Sequence, residues 1–414
     1  MSRSLLITYL GGGLDAHHLI SPRRGTNRTT YTSVRGTLAL ADNPSQALSE
    51  DWMLHPAMSN LRALYAEGRV AIVMNTGTLA VPTTRAQYDA RSVPLPRALQ
   101  SHNDQTRIWQ LGDATDLMGM SGWIGRMIAA LPSSLRGGSF SQITSMAGPQ
   151  PGFTAPGIRA LGLGPTGVLV RQPNIPAKVI QMMEGVMGRA GSFGHPLANE
   201  FAAAQLRANQ SSAVVRNALA MVTDTTPYPG LPELQTVARL FKSDAYSGRP
   251  RSVHFSTQGN YDTHADMMST LDKNLKTLDQ GIGSFWSSAK ALGIENDVSM
   301  LIHSEFGRSL VPNGSGTDHG WGGHALLIGP VIGGLHGKSP DLRLNGPDMV
   351  ESRGILLPST PTEHLLAEVA RWMGVPAASM GTVFPNLGSF PTSSGSLLGG
   401  LLGGGSSSAL RLYP

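Results

Sequence analysis

Cysteine is absent from the 414-residue chain, which excludes disulfides, thiolate zinc sites and a cysteine nucleophile in one step. The compartment stays open, since cysteine-free proteins occur on both sides of a membrane. Long apolar runs are missing as well. None approaches the roughly 18 residues that a membrane-spanning helix requires, so no transmembrane segment is expected. The apolar stretch Leu5–Leu10 is strand-length and leads straight into glycines, without the charged region, long apolar region and cleavage site of a signal peptide. As numbered the chain carries no export signal and reads as cytoplasmic; removal of a leader ahead of Met1 would make it periplasmic or secreted. Charge is sparse, at 14% of residues, and the +5 balance comes from 32 basic against 27 acidic side chains. The basic residues are scattered singly, with no Lys/Arg block or basic stripe, so nucleic acid is a poor partner. A small anionic ester suits scattered arginines better, because a guanidinium grips phosphate or sulfate through two parallel hydrogen bonds. Any one of them also serves simply as solvated surface charge.

What is present points to an α/β domain. Apolar residues make up 40% of the chain, enough for a substantial core. Ser4–Leu10 reads as a first strand, stopped by Gly11-Gly12-Gly13. After a polar loop, Asp51–Ala66 carries apolar residues at helical spacing, and Val70–Met74 follows as a second buried strand. This βαβ order favours a parallel sheet covered by helices. A loop rich in Pro, Thr and Arg runs from about Gly77 to Arg97, and Ile108–Leu131 holds helix broken by glycines. Asn199–Asp224 and Leu231–Ser243 read as helices separated by a turn at Pro227–Gly230. Val253–Ser256, Val298–His303 and Ala325–Ile328 read as short strands, and Met267–Leu292 as a long amphipathic helix. Thr362–Met373 is the last helix, with Thr362 in a capping position. The expected organisation is one domain over residues 1–392, with a cap or insertion at about 132–196, and a Gly/Ser/Leu-rich tail over 393–414, whose low-complexity stretch Ser393–Ser408 is expected to be flexible or loosely packed.

Polar residues able to hold a metal follow several strand candidates directly, where ligands bind in open α/β sheets. Asp15 follows the three glycines, which allow a sharp turn and a close approach to a ligand; an exposed turn aspartate explains it equally well. His17 and His18 stand near enough to add ligands, or are ordinary loop histidines. In Asn260-Tyr261-Asp262-Thr263-His264, Asp262 and His264 lie two residues apart and share a face of an extended segment, a donor pair that suits zinc, manganese or iron. Glu305 and Arg308 follow the strand ending at His303, as a ligand with an anion-binding neighbour or as a surface pair. Gly316-Thr317-Asp318-His319-Gly320-Trp321-Gly322-Gly323-His324 packs Asp318, His319 and His324 among glycines that are costly to order. Ser101, beside His102, either caps a helix or attacks an ester near a metal.

The order and wording of these segments resemble a bacterial family known as "domain of unknown function 1501", within the alkaline phosphatase and sulfatase superfamily. The resemblance runs from Leu5 to about Phe390. It rests on Gly11-Gly12-Gly13-Leu14-Asp15, Leu54-His55-Pro56, Ser101-His102 with Gln105, Ser121-Gly122-Trp123-Ile124-Gly125-Arg126, Tyr261-Asp262-Thr263-His264, Ser304-Glu305-Phe306-Gly307-Arg308 and Gly316-Thr317-Asp318-His319-Gly320-Trp321-Gly322. The resemblance implies an alkaline phosphatase-like fold with a central, mostly parallel sheet flanked by helices. It also implies one or two divalent metal ions (Zn, Mn, Fe or Ca) at the carboxyl edge of the sheet. By position, Asp15 resembles the ligand after the first strand, Asp262 and His264 the Asp/His pair of one metal, and His319 the last histidine ligand. Glu305 stands where many relatives have an Asp-His pair, and Ser101 is where the nucleophile is expected, with Arg308 or His324 steadying the anion. The family commonly has Trp in place of Tyr261, and a twin-arginine leader that this chain does not show.

The expected function is a metal-dependent hydrolase of phosphate or sulfate esters, with a serine nucleophile beside the metal. The alternative is a non-catalytic, secreted or envelope-associated binding or structural protein that retains the fold. On these readings an enzyme tolerates deletion after Ser393, whereas an assembly protein stops associating.

Overall fold

Apolar runs buried on both faces become the strands of one sheet. In the computed structural model, which describes residues 2–136, 141–148, 150–158, 160–167, 176–246, 251–390 and 410–414, these strands are Arg3–Leu10 (β1), Val70–Gly77 (β2), Ile143–Ser145 (β3), Ala160–Gly162 (β4), Arg251–Gln258 (β5), Val298–Ser304 (β6), Gly323–Ile328 (β7), Gly334–His336 (β8) and Thr360–Pro361 (β9). Their order is β8-β2-β7-β6-β1-β5-β3-β4, with β9 also beside β2. Every pairing is parallel except the two that β7 makes, with β2 and β6. The fold is therefore α/β with a mostly parallel central sheet, as expected.

Alternation along β1 splits the core into two layers. Leu6 and Leu10 join one apolar cluster, with the buried stripe Leu271, Leu275, Leu278, Ile282 and Phe285 of a long helix. Leu5, Ile7 and Tyr9 join the other, on the opposite face, with Trp109, Trp123 and Leu366. Five helices matter here: Ser59–Ala66 (α1), His102–Leu111 (α2), Trp123–Ala130 (α3), Met267–Ala291 (α4) and Thr362–Met373 (α5). Asp279 of α4 accepts hydrogen bonds from the backbone N–H of Asn60 and Leu61 (3.0 and 2.9 Å), so one helix caps the start of another.

Several expectations shift. The helix read over Asp51–Ala66 begins only at Ser59. Trp52–Leu54 is instead extended and pairs with Ile20–Pro22, and Pro56, with no N–H to give, keeps His55 out of helix. The polar loop before it contains the helix Gly25–Arg35. The helix over Ile108–Leu131 is broken at a glycine as read: Gly112 turns left-handed and parts α2 from α3. Thr362 does not cap α5; Pro361 precedes the helix without a side-chain cap, and the Thr362 hydroxyl is buried without a partner. Within residues 132–196, β3 and β4 lie at one edge of the sheet. Most of the expected tail (393–409) lies outside the described residues. Its end does not: Leu412 and Tyr413 are buried, Tyr413 stacks on Trp372 at 5.1 Å, and its hydroxyl meets that of Ser299 at 2.7 Å. The last residues, beyond the stretch read as loose, are packed.

Candidate metal centre

The central strands end together. Leu10 of β1 lies opposite Gln258 of β5 on one side and Ser304 of β6 on the other, so the three loops that follow start from one carboxyl edge. Gly12 lets them close on each other: it sits at φ +121°, and a Cβ there would lie 2.3 Å from the backbone nitrogen of Asp262, an impossible approach for any other residue. From that edge come Asp262 and His264 after β5 and Glu305 after β6. A small hairpin of Arg308–Pro312 with Thr317–His319 folds back so that His319 lies opposite Arg308. His102 comes from the first turn of α2.

Four donor atoms converge. His319 Nε2 lies 3.1 Å from His102 Nε2, 2.9 Å from His264 Nε2 and 3.2 Å from Asp262 Oδ1. Asp262 Oδ1 lies 3.0 Å from His264 Nε2 and 3.5 Å from His102 Nε2. The tautomers are set from behind. His319 Nδ1 donates to the carbonyl of Gln100 (2.7 Å), His102 Nδ1 to Glu305 Oε1 (2.7 Å), and His264 Nδ1 faces Asp318 Oδ1 at 3.2 Å. Each ring thus turns an Nε2 lone pair toward the same point. Three lone pairs and a carboxylate oxygen crowded together repel unless a cation lies among them. The ligand–ligand edges of a tetrahedral zinc site with bonds near 2.0–2.1 Å are about 3.3 Å, and the separations among His102, His319 and Asp262, whose donor atoms all lie within 4.8 Å of one another, bracket that value at 3.1, 3.2 and 3.5 Å. The residues fit a divalent ion.

The electrostatics behind the cluster are ordered. Burial pushes the Glu305 carboxyl up, but hydrogen bonds from His102, Gly12 N–H (2.8 Å) and Ser304 outweigh it and hold the group below its ordinary value. The Glu305 hydrogen bond in turn raises His102, while burial first, and then its charged neighbours, lower His319. Asp262 is also raised by burial and lowered by more, through Arg308, whose Nη1 donates to Oδ1 at 2.7 Å. Tyr9, buried beside Glu305, has its phenol driven well up by burial and by that carboxylate.

The sites expected from sequence divide clearly. Asp262, His264 and His319 meet at one point, with His102, expected as part of the nucleophile segment, as a fourth donor. Asp318 and Glu305 stand behind imidazoles rather than among the four atoms. Asp15 is elsewhere: it is fully buried, receives His18 N–H at the start of a short helix, and takes a two-point contact from Arg35 (2.9 and 3.0 Å), which drives its carboxyl far down against burial. His324 is buried with Nδ1 accepting from Asn75 N–H (3.1 Å). His17 and His18 are buried too, and burial lowers both to about 3. Arg308 is not presented to an anion, since its side chain is 0% exposed and also donates to the carbonyls of Gly12 and Thr317. Ser101 accepts from Asp104 N–H as the cap of α2, and its hydroxyl donates to Asp104 Oδ2 at 2.5 Å. Arg35 and Gln100 went unread. Arg35 has no mark in the sequence beyond its place in a helix, and Gln100 acts through a backbone carbonyl that every residue has.

No curated protein matches the sequence significantly. Solved structures that overlay on it include the lipoteichoic acid synthase LtaP from Listeria monocytogenes, at 7% identity over 90% of this chain and 72% of that one, with a TM-score of 0.35. The PsFucS1 sulfatase from Pseudoalteromonas sp. overlays at 10% identity, 91% and 68% coverage and a TM-score of 0.37. The phosphonate monoester hydrolase SpPMH from Silicibacter pomeroyi does so at 11% identity, 91% and 74% coverage and a TM-score of 0.35. These overlays are loose and say nothing of the chemistry here. A family model matches residues 19–380, most of the chain, and by that match the chain belongs to the family described as "Protein of unknown function (DUF1501)".

Proposed function

We propose that this chain is a metal-dependent hydrolase of phosphate or sulfate esters that holds one divalent ion on His102, Asp262 and His319, with His264 beside them. The observation that carries the reading is the convergence of three Nε2 lone pairs on Asp262 Oδ1, each ring fixed from behind by its own acceptor. Three imidazoles and one carboxylate suit zinc, manganese or iron; calcium, which takes oxygen ligands, fits poorly. When bound, the ion supplies Lewis acidity toward an ester oxygen. A second ion at Asp15 is not part of the reading, because Arg35 already balances that carboxylate.

The residues of the chain supply the rest. Glu305 holds the His102 tautomer, and Gln100 holds that of His319. Arg308 anchors Asp262 and ties it to the Gly12 turn. Ser101 is the proposed nucleophile: as Oγ bonds to phosphorus or sulfur, its proton passes to Asp104 Oδ2, with which it already shares a hydrogen bond, while the ester P–O or S–O bond breaks and the leaving oxygen takes a proton from solvent; water then cleaves the seryl ester, releasing phosphate or sulfate, and Asp104 returns its proton to Oγ.

One observation favours a non-catalytic reading. His264 Nε2 lies 2.9 Å from His319 Nε2 and 3.0 Å from Asp262 Oδ1, and as a fourth ligand it would let the protein complete a tetrahedron by itself, the arrangement of structural rather than catalytic zinc. Metal content measured by elemental analysis, together with turnover of a panel of aryl phosphates and sulfates, separates the two. About one ion per chain, lost in Asp262→Ala and His319→Ala, with hydrolysis that Ser101→Ala abolishes while keeping the ion, supports the hydrolase. One ion with no turnover of any ester supports a structural centre. No ion after incubation with zinc, manganese and iron removes both.

A further inference from the structure

The arginine nearest the metal donors, Arg308, is buried and occupied, so it cannot meet a substrate. A second arginine lies at the exposed rim of the cluster, next to Asp318 and His264, whose side chains are 33% and 44% exposed. Arg353 is 36% exposed, and its Nη2 donates to Glu351 Oε2 (2.8 Å) and Gln100 Oε1 (2.9 Å). Its Nη1 has only a long contact, 3.9 Å, to Asp318 Oδ2 among the described residues. Nη1 therefore keeps hydrogens to give. Asp318 is the residue behind His264, and Gln100 is the residue behind His319; Arg353 is thus one residue away from two of the four donors.

The support for this arginine is built at a backbone cost. Gln100 and Glu351 both have left-handed backbone, at φ +70° and +56°, a conformation that is costly for a non-glycine residue and collects at functional sites. Their side chains hydrogen-bond to each other (3.2 Å), and Tyr88 adds a bond to Glu351 (2.8 Å). Gln100 serves two purposes, its carbonyl orienting the metal donor His319 and its side chain holding the guanidinium. A loop that only closed the surface would not need a strained residue joined to both.

We infer that Arg353 receives an oxyanion of the substrate, through Nη1, at the exposed rim of the metal centre. The inference rests on the hydrolase reading above and supplies its anion-recognising residue, in place of Arg308 and His324. A guanidinium held on one edge by Glu351 and Gln100 offers its other edge to phosphate or sulfate oxygens.

The test is calorimetric titration of the metal-loaded protein with inorganic phosphate and with sulfate, on wild type, Arg353→Met and Arg353→Lys. Metal content is measured on each protein beforehand. The expected result is a single anion site in wild type, weakened about 10- to 100-fold in Arg353→Met and partly restored in Arg353→Lys, with metal content equal in all three. Equal anion affinity in Arg353→Met and wild type would overturn the inference while leaving the hydrolase reading intact. Failure of metal-loaded wild type to bind either anion would overturn both. A parallel loss of metal and anion in both variants would make Arg353 a structural tie of the Gln100 loop, and the inference would fall.

Discussion

Glu363 has no place to put a charge. Its side chain is buried, with one oxygen accepting from Ala114 N–H and Asn386 and the other without a partner, and burial pushes its carboxyl from 4.5 up to about 7. A carboxyl whose folded value is raised holds its proton more tightly when folded. Its contribution to stability is fully present below about pH 4.5 and is lost as pH rises to about 7, by about 3 kcal/mol in all. Glu363→Gln keeps the shape without the ionisation. Urea unfolding of the two proteins at pH 5 and pH 8 should show the variant gaining on wild type at the higher pH; an equal difference at both values would show that Glu363 does not titrate in this range. The same scale explains what the sequence hid. Asp15 and Asp262 both follow a strand of the central sheet beside glycine or asparagine, and by pattern either was a ligand. Both pair with an arginine once the chain is folded; what separates them is that Arg35 takes both oxygens of a fully buried Asp15, whereas Asp262 is 45% exposed and turns Oδ1 to imidazoles as well as to Arg308. His102 was hidden differently, because at the start of a helix it reads as part of a cap.

At the scale of the elements, what was legible was whatever carries its own period. β1, β5, β6 and α4 were readable to within two residues at either end, since a run buried on both faces and an amphipathic helix write their pattern locally. The break between Leu54 and Ser59 was not, because Trp52–Leu54 is held extended by pairing with Ile20–Pro22, a partner some thirty residues away. The start of α1 is likewise fixed from outside. Asp279 reaches from α4 to accept two of its free backbone N–H groups and the side-chain amide of Asn60. Asp279→Ala should cost about 1–2 kcal/mol, read as a shift in the denaturant midpoint without a change in slope. Asp279→Asn should recover part of it, since its carbonyl oxygen still accepts. A variant as stable as wild type would mean that solvent replaces the cap fully.

On the scale of the whole molecule, deletion after Ser393 no longer separates an enzyme from an assembly protein, because it removes Leu412 and Tyr413 from the core. Burying two such side chains is worth roughly 3–6 kcal/mol together, and Leu412 N–H also donates to Glu368. Removal of residues 410–414 alone should lower the thermal midpoint by several degrees or more, and Tyr413→Phe, which loses only the bond to Ser299, by much less. A truncated chain that melts with wild type would show that the packing contributes little.

The same packing fixes where the two ends of the chain emerge. Arg3, at the first residue of β1, hydrogen-bonds the carbonyl of Trp372 and lies over its ring at 5.6 Å, and Tyr413 stacks on that ring. Start and end therefore share one pole, at the amino edge of the sheet, and the histidine cluster occupies the other, about 25 Å away along an eight-residue strand. A protein tethered through either end, to a bead, a fused reporter or a surface, would hold its histidine cluster outward and open to whatever diffuses past.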